Sequence, residues 1–192
     1  ALRASGTPRE EVCLVAQLPH TAFTEVRQHL EAQLAGLGVS YLDVYVLQSP
    51  GPEGGGWRSA WEEMQQLYDE GVVKVLGVSD FELPPLKELF DTARIRPMYV
   101  QNMWSIYHPA SYDEAVGEDS LMEFLGHASI VLVGRSVTSV QKQRGFLLDP
   151  LEDPHVLSIV QTTNRKANVV LQRWLLQLGA GTIVDAYSSD IE

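Results

Sequence analysis

The chain has 192 residues, of which 45% are hydrophobic and 20% charged, and these proportions are typical of one globular domain with a sizeable core. The formal net charge of −11 repels phosphate backbones and anionic membranes, which argues against nucleic-acid binding. Apolar runs fall well short of the roughly 20 residues of a membrane-spanning helix, so we expect no membrane span.

Short apolar runs alternate with segments of helical periodicity along the chain. The first helix is indicated by an apolar stripe of Val26, Leu30, Leu34 and Leu37, and Gly38 ends it. A second helix is expected behind the capping-box spacing of Ser59 and Glu62, and a later one over 166–178. We interpret 141–163 as a long polar loop. Strands are predicted at 12–18, 41–47, 72–78, 98–102, 130–133 and 182–184.

This alternation of strands and helices predicts an α/β fold with a parallel sheet wrapped by helices. A closed barrel and an open, doubly wound sheet both fit the pattern. No Gly-x-Gly-x-x-Gly follows any predicted strand, so the dinucleotide fingerprint of the open sheet is missing. Periodicity alone does not separate these two architectures.

A resemblance to a known family separates them. The segment from Gly38 to Gln101, with Leu47-Gln48-Ser49-Pro50 and Gly77-Val78-Ser79-Asp80-Phe81, resembles the middle of an aldo-keto reductase. Residues 1–12 and 169–177 resemble further parts of it. The resemblance implies a (β/α)8 TIM-type barrel, of which this chain carries the third to the eighth strand. We therefore expect 1–192 to be a single barrel domain that is incomplete at both ends, since a complete barrel needs roughly 250 residues.

The same resemblance assigns the catalytic positions, and this chain departs from the family at both that it contains. The family uses a tyrosine proton donor beside a lysine, and a histidine that holds the substrate carbonyl. Gln17 stands at the lysine position and Gln48 at the histidine position. An amide can donate a hydrogen bond but does not titrate, so the resemblance implies no catalytic residue here.

Only some of the positions that bind the cofactor in this family keep the family's residues in this chain. Ser79 and Gln101 match the residues with which the family binds the nicotinamide carboxamide. Asp80 replaces an asparagine, Arg135 replaces a stacking aromatic ring, and Asp185 replaces a lysine that contacts the NADP phosphate. A carboxylate near that phosphate would repel it. We therefore expect no cofactor, or NADP(H) if any, with Ser79 and Gln101 as residual binding residues. The histidines and the single cysteine show no metal-ligand spacing.

These departures favour a catalytically inactive protein that acts as a structural or regulatory subunit of a larger assembly, with other protein chains as partners. Two alternatives stay open. One is an NADPH-dependent aldo-keto reductase with a diverged active site, and the other is a nucleotide-binding sensor without turnover. The sequence does not identify the compartment; we expect a soluble protein of the cytoplasm or of an organelle interior.

Overall fold

The computed structural model describes residues 6–51, 56–107, 120–143 and 146–184. The chain divides into two compact units, Ala1–Tyr99 and Val100–Glu192. The prediction that 1–192 forms a single barrel domain stays a prediction. Among the described residues, no helix combines the length and the apolar character needed to cross a bilayer.

The first unit is built from parallel strands that alternate with helices. Strands β1 (Val15–Leu18), β2 (Leu42–Gln48) and β3 (Val73–Ser79) are adjacent in chain order, with Val15 opposite Val44 and Val44 opposite Val75. Short 3₁₀ turns at Arg9–Glu11 and His20–Ala22 flank β1. The bounds are β1 Val15–Leu18, α1 Val26–Leu37, β2 Leu42–Gln48, α2 Trp57–Asp69, β3 Val73–Ser79 and α3 Leu83–Thr92.

Helix α1 ends as the sequence predicts. Gly38 has a φ of 69°, in the left-handed region that glycine adopts without steric strain. Its N–H donates to the carbonyls of Leu34 and Ala35, and the N–H of Val39 also donates to Leu34. These bonds satisfy carbonyl groups that the end of a helix would otherwise leave unpaired. The chain then turns directly into β2.

The two faces of the sheet in this unit can be told apart by one contact. The Tyr45 hydroxyl lies 3.4 Å from Nδ1 of His29 on α1, so Tyr45 points toward the helices. Because side chains alternate along a strand, Val44, Val46 and Gln48 point to the opposite face. Tyr45 is fully buried, and burial raises its pKa.

A cluster of charged and aromatic side chains lies where β2 and β3 begin. The Arg9 guanidinium and the Lys74 ammonium each lie 3.9 Å from the centre of the Tyr41 ring. Asp43 accepts hydrogen bonds from Arg9 at 2.7 Å and from the N–H of Leu14 at 2.9 Å. Such cation–π and charge-assisted contacts fix the start of β1 against β2.

The second unit adds further strands and helices. Strand β5 pairs in parallel with β8, with Val133 opposite Gly181, and β6 pairs with β7 as an antiparallel hairpin. Strand β4 begins at Tyr99, the last residue of the first unit. The bounds are β4 Tyr99–Met103, α4 Leu121–His127, β5 Val131–Arg135, β6 Gln141–Gln143, β7 Phe146–Leu148, α5 Pro154–Thr163, α6 Ala167–Gln177 and β8 Gly181–Thr182.

The prediction of a long polar loop over 141–163 is wrong. This segment contains the β6–β7 hairpin and helix α5. Asp153 caps α5, since its carboxylate accepts the N–H of His155 at 2.9 Å, and Pro154 occupies the first turn. An aspartate at the cap followed by proline is a helix start signal, because proline lacks the N–H that this turn leaves unpaired.

Two smaller predictions for the helices also fail. Leu37 is 46% exposed, so the buried face of α1 is narrower than the apolar stripe suggests and contains Val26 and Leu30. The expected capping box does not form, because α2 begins two residues before Ser59, at Trp57. The Ser59 hydroxyl donates to the carbonyl of Gly56 instead.

Candidate active site

The predicted catalytic positions of the first unit lie on one face of the sheet. In the strand register Gln17 is opposite Val46, and Gln48 is opposite Ser79. Residues opposite each other on parallel strands share a face, so Gln17, Gln48 and Ser79 all point away from the helices. Gln48 and Ser79 end β2 and β3, and Gln17 lies one layer deeper. The structure thus brings the three predicted residues to the carboxyl ends of neighbouring strands.

These side chains differ in their exposure to solvent. Ser79 is 1% exposed, whereas Gln17 and Gln48 are half-buried. The backbone carbonyl of Gln17 accepts a hydrogen bond of 2.9 Å from Nε2 of Gln33, which links β1 to α1. The Gln17 and Gln48 amides are therefore held on ordered strands and remain accessible to a small molecule at the strand ends.

The turns that follow β2 and β3 have unusual backbone conformations. Ser49 has a φ of 58° and Asp80 a φ of 54°, both in the left-handed region. The N–H of Ser49 donates to the carbonyl of Ser79 at 2.7 Å. Non-glycine residues in this region carry some strain and are frequent where a side chain must be placed for function. Both residues directly follow a candidate site residue.

Gly77 lies two residues before Ser79 on the same face of β3 and has no side chain. A β-carbon on Gly77 would lie only 2.7 Å from the backbone oxygen of Tyr99 and 2.9 Å from its β-carbon. Tyr99 therefore occupies the space beside Gly77 and supports the layer beneath Ser79. Burial raises the pKa of Tyr99 to about 12, so its hydroxyl is a poor proton donor for catalysis.

In the second unit Gln101 lies in the middle of β4 and Arg135 ends β5, and both point away from helix α6. A β-carbon on Gly134 would meet Cδ2 of Leu175 on α6, so the next residue, Arg135, points the opposite way. Trp104 packs edge-to-face on Trp174 of α6, with ring centroids 6.5 Å apart. Because side chains alternate along the strand, Gln101, three residues before Trp104, points to the opposite face.

The ends of β4 and β5 are held together within this unit. The N–H of Trp104 donates to the carbonyl of Arg135 at 3.0 Å. Gln101 is 4% exposed, and so is its neighbour Asn102, which the sequence analysis did not single out. By the same alternation Asn102 points to the side of Trp104, toward α6, and so lies outside the face that contains Gln101. Asp185, expected at the phosphate position, lies outside the described residues.

Comparison with known proteins now decides the family. Residues 1–190 match the Aldo/keto reductase family. The chain belongs to this family.

Two curated relatives and one solved structure illustrate the match. The chain is 32% identical over 186 residues to an aldo-keto reductase of Mycobacterium tuberculosis, covering 96% of this chain and 61% of the relative. It is 30% identical over 185 residues to a 9,11-endoperoxide prostaglandin H2 reductase of Trypanosoma cruzi, covering 95% and 60%. The structure of a Bombyx mori aldo-keto reductase in complex with NADP superimposes with a TM-score of 0.79 at 22% identity, covering 95% of this chain and 61% of that one.

These matches confirm the predicted fold class, the parallel (β/α)8 type, with six of its strands among the described residues: β1 to β5 and β8. The chain spans about six tenths of the length of the curated relatives named above, 60% and 61%. The aldo-keto reductase resemblance inferred from the residues is confirmed as well.

The hypothesis of a non-catalytic structural or regulatory subunit is wrong. The similar proteins are named as reductases, and this favours the alternative of an aldo-keto reductase with a diverged site. Gln17 and Gln48 lack a titratable group, and that hypothesis equated this lack with loss of catalysis. An amide N–H, however, still donates a hydrogen bond to a developing oxyanion, and such donors are a large part of many enzymes' rate enhancement.

Proposed function

We propose that this chain carries the strand-end residues of an NADPH-dependent aldo-keto reductase with a diverged active site, acting on small carbonyl compounds. One observation carries the proposal. Gln17, Gln48 and the buried Ser79 share the face of β1, β2 and β3 that points away from the helices, at the strand ends. In barrels of this type the carboxyl ends of the strands are where active sites occur. The naming of similar proteins as reductases supports the same conclusion.

The donor set suits a nicotinamide carboxamide. Ser79 and Gln101 are both buried, and between them a hydroxyl and an amide offer hydrogen-bond donors and acceptors. Asp80 can only accept, which suits the amino group of the carboxamide rather than its oxygen. We infer that Ser79 binds this group of the cofactor, and the family resemblance assigns the same role to Gln101. When bound, the reduced nicotinamide supplies the hydride.

Gln48 is the residue we assign to the substrate. Its side-chain N–H donates a hydrogen bond to the carbonyl oxygen and stabilises the negative charge that develops there. Gln17, one layer deeper on the same face, orients the group that protonates this oxygen. Neither amide titrates, so neither supplies the proton itself.

The test is consumption of NADPH in the presence of a panel of aldehydes and dicarbonyl compounds. Gln48→Ala removes the proposed donor and should lower kcat/KM by about 100-fold. The matched control is Gln28→Ala on the exposed side of α1, which should leave kcat/KM unchanged. Saturable NADPH binding without any carbonyl reduction would instead support a nucleotide-binding sensor, and neither binding nor reduction would refute the proposal.

A further inference from the structure

The second unit contains a groove that is separate from the strand ends. It has a volume of about 490 Å³ and lies between helices α5 and α6. Ile159 and Thr163 contribute from α5, and Val170 and Trp174 from α6. A neighbouring cavity of about 280 Å³ shares Ile159, Val170 and Trp174. The volume of the groove itself, about 490 Å³, is typical of small-molecule sites.

The floor of the groove is apolar. Val170 and Trp174 are four residues apart and therefore form one row along α6, and Ile159 faces them from α5. Ile159 is 47% exposed and Val169, at the rim, is 44% exposed. Exposed apolar side chains that line a concave surface are typical of binding sites.

The rim of the groove is positively charged. Arg165 and Arg173 line it and are both exposed. Neither has an ion-pair partner among the described residues, whereas Arg9, Arg27, Arg58 and Arg94 each contact a carboxylate. In a chain of net charge −11, two arginines that line one groove and have no carboxylate partner in the described part of the chain make its rim locally positive.

We propose that this groove binds an amphiphilic carboxylate, with its apolar body against Trp174 and its anionic group on Arg165 or Arg173. The apolar floor excludes a purely ionic ligand, and the two guanidinium groups select against a neutral or cationic one. Guanidinium is also the side-chain group that best matches a carboxylate, because its planar N–H groups bond both oxygens. The site is independent of the proposed reductase chemistry.

The test uses decanoate, decanol and decylamine as probes, with the indole N–H signal of Trp174 followed by NMR. Decanoate should shift this signal in a saturable way, more strongly at low salt than at high salt. Decanol should bind more weakly and decylamine weakest. Equal binding of all three probes, or decanoate binding that leaves the Trp174 signal unmoved, would overturn the proposal.

Variants add a second criterion. Arg165→Gln with Arg173→Gln should weaken decanoate binding by about threefold or more, as expected for two solvent-accessible ion pairs. The matched control, Arg27→Gln with Arg94→Gln, makes the same change in net charge on exposed arginines of the first unit and should have no effect. Since all four side chains lie at the surface, thermal unfolding should show that both variants fold. An equal loss of binding in the two double variants would contradict the proposal.

Discussion

Replacing Gly77 by alanine should destabilise the protein because the added methyl group has no room. It would lie 2.7 Å from the Tyr99 carbonyl oxygen and 2.9 Å from both Cβ and Cδ1 of Tyr99. The oxygen belongs to the backbone and cannot rotate away, so β3 and the start of β4 must separate. Overpacking of this kind typically lowers the free energy of unfolding by about 1–3 kcal/mol.

The matched control is Gly36→Ala. Gly36 lies in α1, and apart from its chain neighbours and the backbone of its own helix no described atom lies within 4 Å of the β-carbon it would gain. Because alanine loses less backbone entropy than glycine in a helix, this variant should be more stable by about 0.5–1 kcal/mol. Urea unfolding followed by circular dichroism measures both free energies. A Gly77→Ala variant as stable as the parent, or a Gly36→Ala variant that loses as much stability, would refute the reasoning.

Gly77→Ala should also lower reductase activity. Ser79 lies two residues further along β3 on the same face, so a shift of the strand at Gly77 moves the Ser79 hydroxyl. Catalytic geometry tolerates little displacement, and a shift of about 1 Å can reduce a rate about 100-fold. NADPH consumption under conditions where the variant is fully folded measures this effect. Unchanged kcat/KM in a destabilised Gly77→Ala variant would contradict the placement of Ser79 in the site.

Three further predictions concern other parts of the chain. Burial raises the pKa of Asp43, but hydrogen bonds from the Leu14 N–H and from Arg9 outweigh it and the net pKa is lowered. Asp43→Asn should therefore lower the free energy of unfolding by about 1–3 kcal/mol at neutral pH. Urea unfolding should show that this difference from the parent shrinks as the pH falls below 3.8, the ordinary pKa of aspartate, and through the lowered pKa of Asp43. A difference that does not depend on pH would contradict this role of the Asp43 carboxylate. Asp153→Ala removes the cap of α5 and should reduce stability by about 1 kcal/mol in the same assay, whereas an unchanged midpoint would argue against the cap. Gln48→His should keep activity and make kcat/KM fall as pH rises through about pH 5–8, because imidazolium is the stronger donor; a flat profile would contradict the assignment of Gln48.

The strand positions could be predicted well because buried parallel strands are short, nearly continuous apolar runs in the sequence. The runs around Val44 and Val75 are apolar on both faces, and Gly38 marks a helix end whose geometry only a few residues adopt. Helix α5 as a whole was not predicted, for a different reason. Pro154 was interpreted as a loop residue, although after Asp153 it is a helix start.

Burial within helices could not be predicted in the same detail. Leu34 and Leu37 continue the apolar period of Val26 and Leu30, yet the elements packed on α1 cover only the first half of the stripe. Periodicity reports which residues share a face but not how far a neighbour extends along it. Ser49 after β2 likewise combines a left-handed conformation with a hydrogen bond to Ser79, a residue distant in sequence, and local sequence does not report such a bond.

For the candidate site, the positions of the residues could be predicted from the sequence, but their function could not. The positions of Gln17, Gln48 and Ser79 could be predicted, because strand order and side-chain alternation fix them. The functional conclusion drawn from them was wrong, because it gave the loss of titratable groups more weight than the hydrogen-bond donation that the same amides retain. The groove beside Trp174 could not be predicted from the sequence, because it depends on how α5 and α6 pack.

The proposed reaction is reduction of a carbonyl with hydride from NADPH. The most direct measurement uses NADPH deuterated at the transferred position and analyses the alcohol product by NMR. We expect deuterium on the carbinol carbon, in an amount equal to the NADPH oxidised. Formation of no alcohol, or an alcohol without deuterium at that carbon, would contradict the account.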